Sequence, residues 1–507
     1  MTSVNHLILL IIDDVAATQF FQYYKAGKLP NLQKLGEQGI KCELCCTAYP
    51  AVTLPTHPGM LTGAYSGNYA IEGHGIPHYH WVGRDTHPIT LRNYSSLNLY
   101  YENEDLGTGA RTIFEQFGEG NSLSVFQFPN RGAHCVRPKT KRGAYALGFY
   151  YMLLRGGMWK MHRSIVSTIL DAFEHPKHFF ETNEVPVVSV GWMPGTDAIM
   201  HVKGYDSDLY AQELLKCDVY IGELIQGLKN LGYYESTAIA VTSDHGNYKA
   251  ERAGQLDPWL DAYKLRPYDP KTQQGDHDIA FGGLGFFNFP GHSWHEHPTN
   301  DQLEHYGSQK INLYEAVFKI KDVELLYYPL DSSSPDRGQI RVIRKNCEVF
   351  CHGLIEWQGH GKSQQVKYTF ENEDPLEYNK DLVAQRLLDN KYHNIEEWLA
   401  HTHHLPWGAM LVDQLPRYFK NRRAGDFIVS TLGKACYNYE HGRTVNDHVY
   451  SHDVGSQRDM MVPLVLGGSP SIPQCDVPFC KTTDIVPTLL QLIGRTPDKT
   501  VVGKSLF

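Results

Sequence analysis

The stretch LILLIIDD, residues 7–14, decides the expected fold. An uninterrupted apolar run leads directly into Asp13 and Asp14. An apolar run without polar alternation is typical of a strand that is buried on both faces, as in parallel sheets. Ligands of open α/β proteins bind beyond the carboxyl ends of such strands. We therefore expect the two carboxylates at the rim of a sheet, beside a ligand site.

Further apolar runs along the chain also end in polar clusters. They are SLSVFQF (122–128), VPVVSVGWM (185–193), AIAVT (238–242), GDFIVST (425–431) and MMVPLVLGG (460–468). Between them lie segments with helical periodicity, such as Ser207–Gly232, which ends in a glycine suited to a helix C-cap. Strands of this kind alternating with helices predict an α/β fold, with a largely parallel sheet sandwiched by helices.

The middle of the chain differs from its two ends. Short strand patterns joined by turn residues occupy about 322–371, and residues 375–424 have helical, surface-like patterns. We interpret 251–424 as an inserted cap of mixed strands and helices. Residues 1–250 and 425–507 then form one core.

Composition and charge argue against several classes of partner. The formal charge of −9 and the pI near 6.3 disfavour a nucleic-acid polymer, which needs a basic surface. No segment approaches 18 uninterrupted apolar residues, so no membrane partner is expected. The N-terminal segment lacks a basic region before its apolar run. The ten cysteines include one C-x-x-C pair, Cys42 and Cys45, without the second pair that a zinc ribbon needs. These features predict a cytoplasmic protein and leave its oligomeric state open.

Acids and histidines collect where the predicted strands end. Asp13 follows the first strand, Asp197 and His201 lie in GTDAIMH, Asp244 and His245 lie in TSDHG, and His452 lies in SHDVGS. Each group alone is weak evidence for a metal site, because such pairs are common in surface turns. Four groups at the strand ends of one sheet predict a metal site, and the mixture of carboxylate and imidazole suits zinc or a similar transition metal. The six residues are enough for two ions.

A nucleophile is also present in the sequence. Thr53 opens TLPTHPGMLTG, residues 53–63, in a proline-rich turn before a helical pattern. A threonine in that place is usually a helix N-cap. Beside a metal the same hydroxyl becomes a nucleophile, because coordination lowers the pKa of an alcohol.

The ordered motifs resemble those of the alkaline phosphatase superfamily. They are IIDD (11–14), TLPTHPGMLTG (53–63), GTDAIMH (195–201), TSDHG (242–246), SHDVGS (451–456), TTDIVPTLLQLIG (482–494) and GKSLF (503–507). Within the superfamily the chain is most similar to the nucleotide pyrophosphatase/phosphodiesterase branch, whose nucleophile is a threonine in a T-x-P-x-H setting. The resemblance covers about 1–250 and 425–507.

The resemblance implies a ligand set and a mechanism. One zinc ion would be held by Asp197, His201 and His452. The other would be held by Asp13, Asp244 and His245, with Thr53 reaching it; manganese is the alternative metal. Thr53 would form a phospho-threonine intermediate. No C-x-P-x-R sulfatase motif occurs, so we interpret Asp14 as a supporting acid and not as a calcium ligand.

One position departs from the pattern of the branch. In HGIPHYHWVGRD, residues 74–85, an asparagine is expected three residues after H-G-I, and Tyr79 stands there instead. In the branch the asparagine contacts a phosphoryl oxygen. Tyr79 is therefore predicted to bind substrate through its hydroxyl, which a bulkier side chain places at a different distance from the backbone.

The sequence therefore predicts a two-zinc hydrolase of phosphodiester or pyrophosphate bonds. Its partner would be a small phosphodiester or a nucleotide-type substrate. No Lys or Arg occurs between Lys41 and Arg84, which favours a singly charged diester over a dianionic monoester. Two alternatives stay open: a phosphomonoesterase or phosphonate hydrolase with the same site, and a binding protein of this fold without turnover.

Overall fold

A computed structural model provides the structure of the chain. It describes residues 3–94, 96–140, 142–143, 146–147, 150, 157–331, 334, 336–346, 349–440 and 442–507. The basic stretch RPKTKRGAY, residues 137–145, lies partly outside these residues.

Within the described residues, strands and helices alternate along most of the chain. The strands, β1 to β25 in chain order, are His6–Ile12, Ile40–Cys46, His80–Gly83, Thr90–Asn93, Asn121–Val125, Cys135–Arg137, Pro186–Met193, Thr237–Thr242, Tyr248–Lys249, Arg252–Ala253, Asp278–Phe281, Leu284–Asn288, Leu325–Pro329, Arg337–Asn346, Val349–Gln358, Gln365–Glu371, His393–Asn394, Phe427–Ser430, Ala435–Cys436, Tyr439–Glu440, Arg443–Thr444, Tyr450–Ser451, Met461–Gly468, Cys475–Val477 and Cys480–Lys481. The α-helices are Ala17–Lys25, Pro30–Glu37, Thr53–Thr62, Glu102–Asp105, Ile113–Gln116, Trp159–Glu174, Gly195–Lys203, Asp208–Leu231, Asp257–Tyr263, Asn300–Glu304, Leu313–Ala316, Ile395–Thr402, Leu411–Phe419, Gln457–Met460 and Ile485–Leu492.

A central sheet carries the first predicted strand in its middle. Its order is β24-β2-β23-β8-β1-β7-β5-β6, with β25 also paired to β2. The pairs of β1 with β7 and with β8 are parallel, as are β5 with β7 and β5 with β6. Only β23 among these strands runs antiparallel to both its neighbours, β2 and β8. The predicted α/β fold with a largely parallel sheet is confirmed.

Apolar packing on both faces explains the unbroken hydrophobic runs. The residues of β1 alternate between two core clusters, so that Ile8 and Leu10 pack on one face and Leu7 and Leu9 on the other. The helix Asp208–Leu231 covers one face; Ser207 caps its start by accepting from the Tyr210 amide, and Gly232 ends it at φ 80°.

A second, antiparallel sheet occupies much of the middle of the chain. Its order is β17-β16-β15-β14-β13-β18-β12-β11-β20-β21. The prediction that GDFIVST belongs to the parallel core sheet is wrong, because β18 pairs antiparallel with β12 and β13. An apolar run indicates that a strand is buried, but it does not indicate which strand lies beside it. The second sheet therefore extends beyond the predicted insert 251–424, whose boundaries remain a prediction.

Among the described residues, no helix is both long enough and apolar enough to cross a membrane.

Candidate active site

The two acids after β1 have different surroundings. Asp13 Oδ2 accepts a hydrogen bond from Trp192 Nε1 at 2.7 Å, and its Oδ1 lies 3.6 Å from His245 Nε2. Asp14 adopts φ 62°; its Oδ2 accepts from Asn247 Nδ2 at 3.0 Å, and its Oδ1 lies 3.6 Å from the other ring nitrogen of His245, Nδ1. Asp13 thus faces the site, while Asp14 supports the far side of His245, as interpreted from the sequence.

The end of β8 supplies the next two side chains. Asp244 Oδ1 accepts from the Asp14 amide at 3.1 Å, which ties neighbouring strand ends together. Asp244 Oδ2 lies 3.3 Å from His245 Nε2. The following Gly246 has no room for a side chain, since a Cβ there would stand 2.1 Å from the Arg458 carbonyl oxygen.

The helix after β7 carries a second pair. Asp197 and His201 lie one turn apart on Gly195–Lys203, with His201 Nε2 3.1 Å from Asp197 Oδ1. His452 Nε2 lies 3.9 Å from the same oxygen, and its Nδ1 is 3.1 Å from the Ala51 carbonyl oxygen. The rings of His245 and His452 stack with centroids 3.9 Å apart, which joins the two halves of the site.

Thr53 begins the helix Thr53–Thr62 and reaches the middle of this cluster. The N-cap is Val52, with no side-chain capping bond, so Thr53 does not have the capping role that is usual for such a residue. Its Oγ1 lies 3.0 Å from His245 Nε2. Beside it opens a cavity of about 350 Å³ that Thr53, Asp197 and His201 also line.

Burial and mutual repulsion set the electrostatics of the cluster. Burial, followed by the charges of Asp244 and Asp197, raises the pKa of Asp13 well above its usual value. For Asp197 burial acts in the same direction, but the neighbouring histidines outweigh it and lower the pKa. Burial and two neighbouring imidazoles hold the pKa of His452 well below its usual value. So many buried ionisable groups in contact are unfavourable unless a counter-charge is bound among them.

The buried oxygen and nitrogen atoms of this cluster could serve as metal ligands. Buried atoms without a hydrogen-bond partner include Asp13 Oδ1, Asp197 Oδ1, Asp244 Oδ2 and His57 Nε2. Orphaned buried oxygens and nitrogens are costly, and a cation satisfies them. Among the described residues, ligand atoms lie within 4.8 Å of one another in two buried or half-buried groups at this site: Asp13 with His57 and Asp244, and Asp197 with His245 and His452. The residues fit divalent cations.

A family model described as type I phosphodiesterase / nucleotide pyrophosphatase matches residues 7–308. That match covers more than half of the 507-residue chain. The chain belongs to this family. The predicted placement in the nucleotide pyrophosphatase/phosphodiesterase branch of the alkaline phosphatase superfamily is confirmed.

Curated relatives in the nucleotide pyrophosphatase/phosphodiesterase group are distant. An uncharacterized pyrophosphatase/phosphodiesterase of Schizosaccharomyces pombe is 25% identical over 243 residues, which are 47% of this chain and 44% of the relative. The human bis(5'-adenosyl)-triphosphatase ENPP4 is 26% identical over 262 residues, which are 50% of this chain and 51% of the relative. The chain therefore spans about half the length of the curated relatives it matches.

Solved structures match over nearly the whole chain. Murine ectonucleotide pyrophosphatase/phosphodiesterase 5 has a TM-score of 0.56 at 14% identity, covering 97% of this chain and 96% of that one. An inactive variant of the same murine protein in complex with AMP has a TM-score of 0.56 at 14% identity, covering 98% and 96%. At 14% identity, the similarity to these structures shows the fold of the chain and nothing further.

The structure places the six predicted metal ligands in one cluster. Each predicted set of three contains a close pair: His201 with Asp197 in one, and His245 with Asp244 in the other. The distribution of these residues between two ions stays a prediction, because His245 lies near both groups.

Sequence reasoning missed His57. Its Nε2 lies 3.3 Å from Asp244 Oδ2, and its Nδ1 is 2.7 Å from Gln127 Nε2, which holds the ring in place. The signal was in the T-x-P-x-H motif, since a residue four positions after Thr53 on a helix lies on the same face. Nothing local indicated Gln127, which follows β5.

Tyr79 lies on the wall of the cavity beside Thr53. Burial, followed by the charge of Glu440 and a hydrogen bond with it, raises the pKa of Tyr79 well above its usual value. The hydroxyl is thus engaged by a carboxylate. Substrate binding by Tyr79 stays a prediction.

Arg84 and Arg137 contact other groups of the protein. Arg84 is buried against Asp426, with 3.0 Å between Nη2 and Oδ2, and also donates to the Phe289 carbonyl oxygen. Arg137 donates to the carbonyl oxygen of His178. No lysine or arginine of the described residues lines the cavity beside Thr53.

Proposed function

We propose that the chain hydrolyses phosphodiester or pyrophosphate bonds in small molecules, with Thr53 as the nucleophile. The observation that carries this proposal is the position of Thr53 Oγ1, 3.0 Å from His245 Nε2 and on the wall of an open cavity. Membership of the type I phosphodiesterase / nucleotide pyrophosphatase family supports the reaction class.

Two divalent ions would complete the site, with zinc favoured over manganese. Asp13, Asp244 and His245 would hold one beside Thr53, and the residues for the other would be Asp197, His201 and His452. Carboxylate and imidazole donors in this mixture suit zinc. When bound, such a pair lowers the pKa of an alcohol and neutralises charge on the attacking and leaving oxygens.

The chain's own residues account for attack and orientation. Thr53 Oγ1 would lose its proton to solvent and form a bond to phosphorus while the bond to the leaving oxygen breaks and that oxygen takes up a proton from solvent, which gives a phospho-threonine. Water would then cleave that ester and restore the hydroxyl. Thr53 opens a ten-residue helix, and a helix N-terminus favours the negative charge of a phosphoryl group. Trp192 and Asn247 would hold Asp13 and Asp14 in place through their hydrogen bonds.

A diester fits the surroundings better than a monoester. Enzymes that favour a dianion usually add a cationic side chain near the nucleophile, and the lysine- and arginine-free lining described above offers none. The names of the relatives favour a nucleotide-type arm: the human relative is a bis(5'-adenosyl)-triphosphatase, and the murine variant was solved with AMP. Tyr79 and Tyr94 line the cavity, and their aromatic rings would stack on such an arm.

Replacement of Thr53 tests the mechanism. Thr53→Ala should lower kcat/KM for bis-p-nitrophenyl phosphate about a thousandfold or more, because the nucleophile is removed. Metal content and thermal stability should stay near those of the unsubstituted protein. Thr53→Ser should keep measurable turnover. The matched control is Thr62→Ala in the same helix, where the hydroxyl donates to the Pro58 carbonyl oxygen. If Thr53→Ala kept most of its activity, direct attack by water would replace this mechanism.

The substrate class is tested separately. kcat/KM for bis-p-nitrophenyl phosphate should exceed that for p-nitrophenyl phosphate. A clear preference for the monoester would overturn the phosphodiesterase assignment while leaving Thr53 as the nucleophile.

We also propose a cytoplasmic location. The nine cysteines that the structure describes are all outside disulfides, which is the state that a reducing compartment favours. Fractionation of cells that express the tagged full-length protein checks this, and recovery from the medium would contradict it.

A further inference from the structure

The cavity beside Thr53 is lined by residues from two helices, from the flanks of the β3–β4 hairpin and from the second sheet. Leu54 comes from the helix of the nucleophile, and Tyr79 and Tyr94 flank the β3–β4 hairpin. The wall also contains Phe281 from β11 and Glu440 from β20 of the second sheet, and these two strands pair antiparallel. The volume of about 350 Å³ is that of a small ligand site. An ester arm of a substrate held at Thr53 has this space to enter.

Glu440 places a negative charge in that wall. Its Oε2 accepts a hydrogen bond from Asn93 Nδ2 at 3.1 Å, so the carboxylate is held in position by the hairpin. The Tyr79 hydroxyl is its second hydrogen-bond partner. The nearby His80 lies 2.6 Å from Asp278, a carboxylate of its own. Asn93 and Tyr79 carry no formal charge, so they hold the Glu440 carboxylate in place without cancelling its charge.

The other two carboxylates that line the cavity, Asp197 and Asp453, already have partners. Asp197 belongs to the ligand cluster described above. Asp453 accepts from the amides of Gly283 and Leu284 at 3.1 Å and is buried. Glu440 is thus the carboxylate that an arm in the cavity meets, next to the aromatic faces of Tyr79 and Phe281.

We propose that Glu440 is a specificity-determining residue that admits uncharged or cationic arms of a phosphodiester and excludes anionic ones. Like charges repel at short range, and a partly buried wall screens that repulsion less than water does. Aromatic faces accept both apolar and cationic groups. This assignment rests on the proposed function and names the substrate class: phosphodiesters in which the arm beside Glu440 bears no second phosphate or carboxylate.

Three matched substrates test the assignment. They are p-nitrophenyl phosphodiesters whose second arm is phenyl, 4-carboxyphenyl or 4-(trimethylammonio)phenyl, so that shape stays similar while charge changes. With the purified, metal-loaded full chain, kcat/KM should follow the order cation, neutral, anion. Each step should be about tenfold, as expected for one screened charge–charge interaction near a protein surface.

Substitution of Glu440 should change the order of kcat/KM among the three diesters, while the hydrolysis reaction itself continues. Glu440→Gln should bring the three substrates within about threefold of one another, and Glu440→Lys should favour the anionic arm. The control Glu371→Gln, on an exposed position of β16, should keep the original order. If the unsubstituted protein does not discriminate between the arms, or if Glu440→Gln keeps the full discrimination, the assignment is overturned.

Failure of the proposed function gives a different result. In that case the neutral diester is not hydrolysed, or Thr53→Ala hydrolyses it as well as the unsubstituted protein does. Calorimetric binding of the same three diesters to the Thr53→Ala variant then measures the selectivity of the arm without turnover. Tighter binding of the cationic than of the anionic diester, lost in the Thr53→Ala/Glu440→Gln double variant, supports the role of Glu440. Equal binding of the three overturns it.

Discussion

Trp192 should control metal affinity although it offers no metal ligand. Its Nε1 donates to Asp13 Oδ2 at 2.7 Å, and its ring packs edge-on against Phe128 with centroids 5.2 Å apart. Trp192→Phe removes the donor and keeps an aromatic ring. A hydrogen bond to a charged group is worth about 1.5–3 kcal/mol. Since about 1.4 kcal/mol is tenfold, the affinity of the Asp13 site for zinc should fall roughly ten- to a hundredfold, the range usual for such supporting partners.

The affinity is measured by titrating chelator-stripped protein with zinc against a fluorescent competing chelator. The matched control is Trp259→Phe, which loses a 2.8 Å hydrogen bond to the Ala316 carbonyl oxygen in the core of the second sheet. That variant should bind zinc as the unsubstituted protein does. A zinc affinity of Trp192→Phe within about threefold of the unsubstituted protein would refute the reasoning, as would an equal loss in the control.

Three further predictions concern the site and its support. Gly246→Ala should lose metal and activity, because its Cβ would stand 2.1 Å from a backbone oxygen, whereas Gly59→Ala, with its nearest neighbour at 3.5 Å, should keep both; metal analysis and kcat/KM check this. Asp426→Ala leaves Arg84 buried without its partner and should lower the free energy of unfolding in urea by about 3–5 kcal/mol, while Asp301→Ala, at a side chain 87% exposed, should change it by less than about 0.5 kcal/mol. Chelation at neutral pH should abolish activity and zinc should restore it, with about two ions per chain by elemental analysis; a single ion, or calcium alone, would contradict the ligand assignment.

The strand ends of the site were predictable from the sequence for a simple reason. Parallel strands present their carboxyl ends at the same edge of a sheet, so acids and histidines that follow separate apolar runs meet there. This is how Asp13, Asp244 and His245 come together, and the helix after β7 adds Asp197 and His201. The family motifs also pointed to Thr53, whose hydroxyl lies within the same cluster.

Strand pairing was less predictable. The apolar run of β18 looks like those of β1 and β8, yet β18 belongs to the antiparallel sheet, while β23 enters the central sheet in the antiparallel direction. An apolar pattern reports that both faces of a strand are buried. Which strand lies alongside depends on contacts between residues far apart in the chain, and these leave no trace in local periodicity.

By itself, the sequence determined the class of fold and the edge of the sheet where the acids and histidines gather, and it pointed to the residues that we propose bind metal and attack phosphorus. These follow from local patterns and motifs, because burial and the succession of strands and helices can be read along the chain. Only the tertiary structure decided that His57 stands beside Asp244, that Arg84 is engaged by Asp426, and that Glu440 closes the cavity next to Tyr79. Those neighbours come from distant segments, and a side chain's charge acts on whatever the folded chain places within a few ångströms of it.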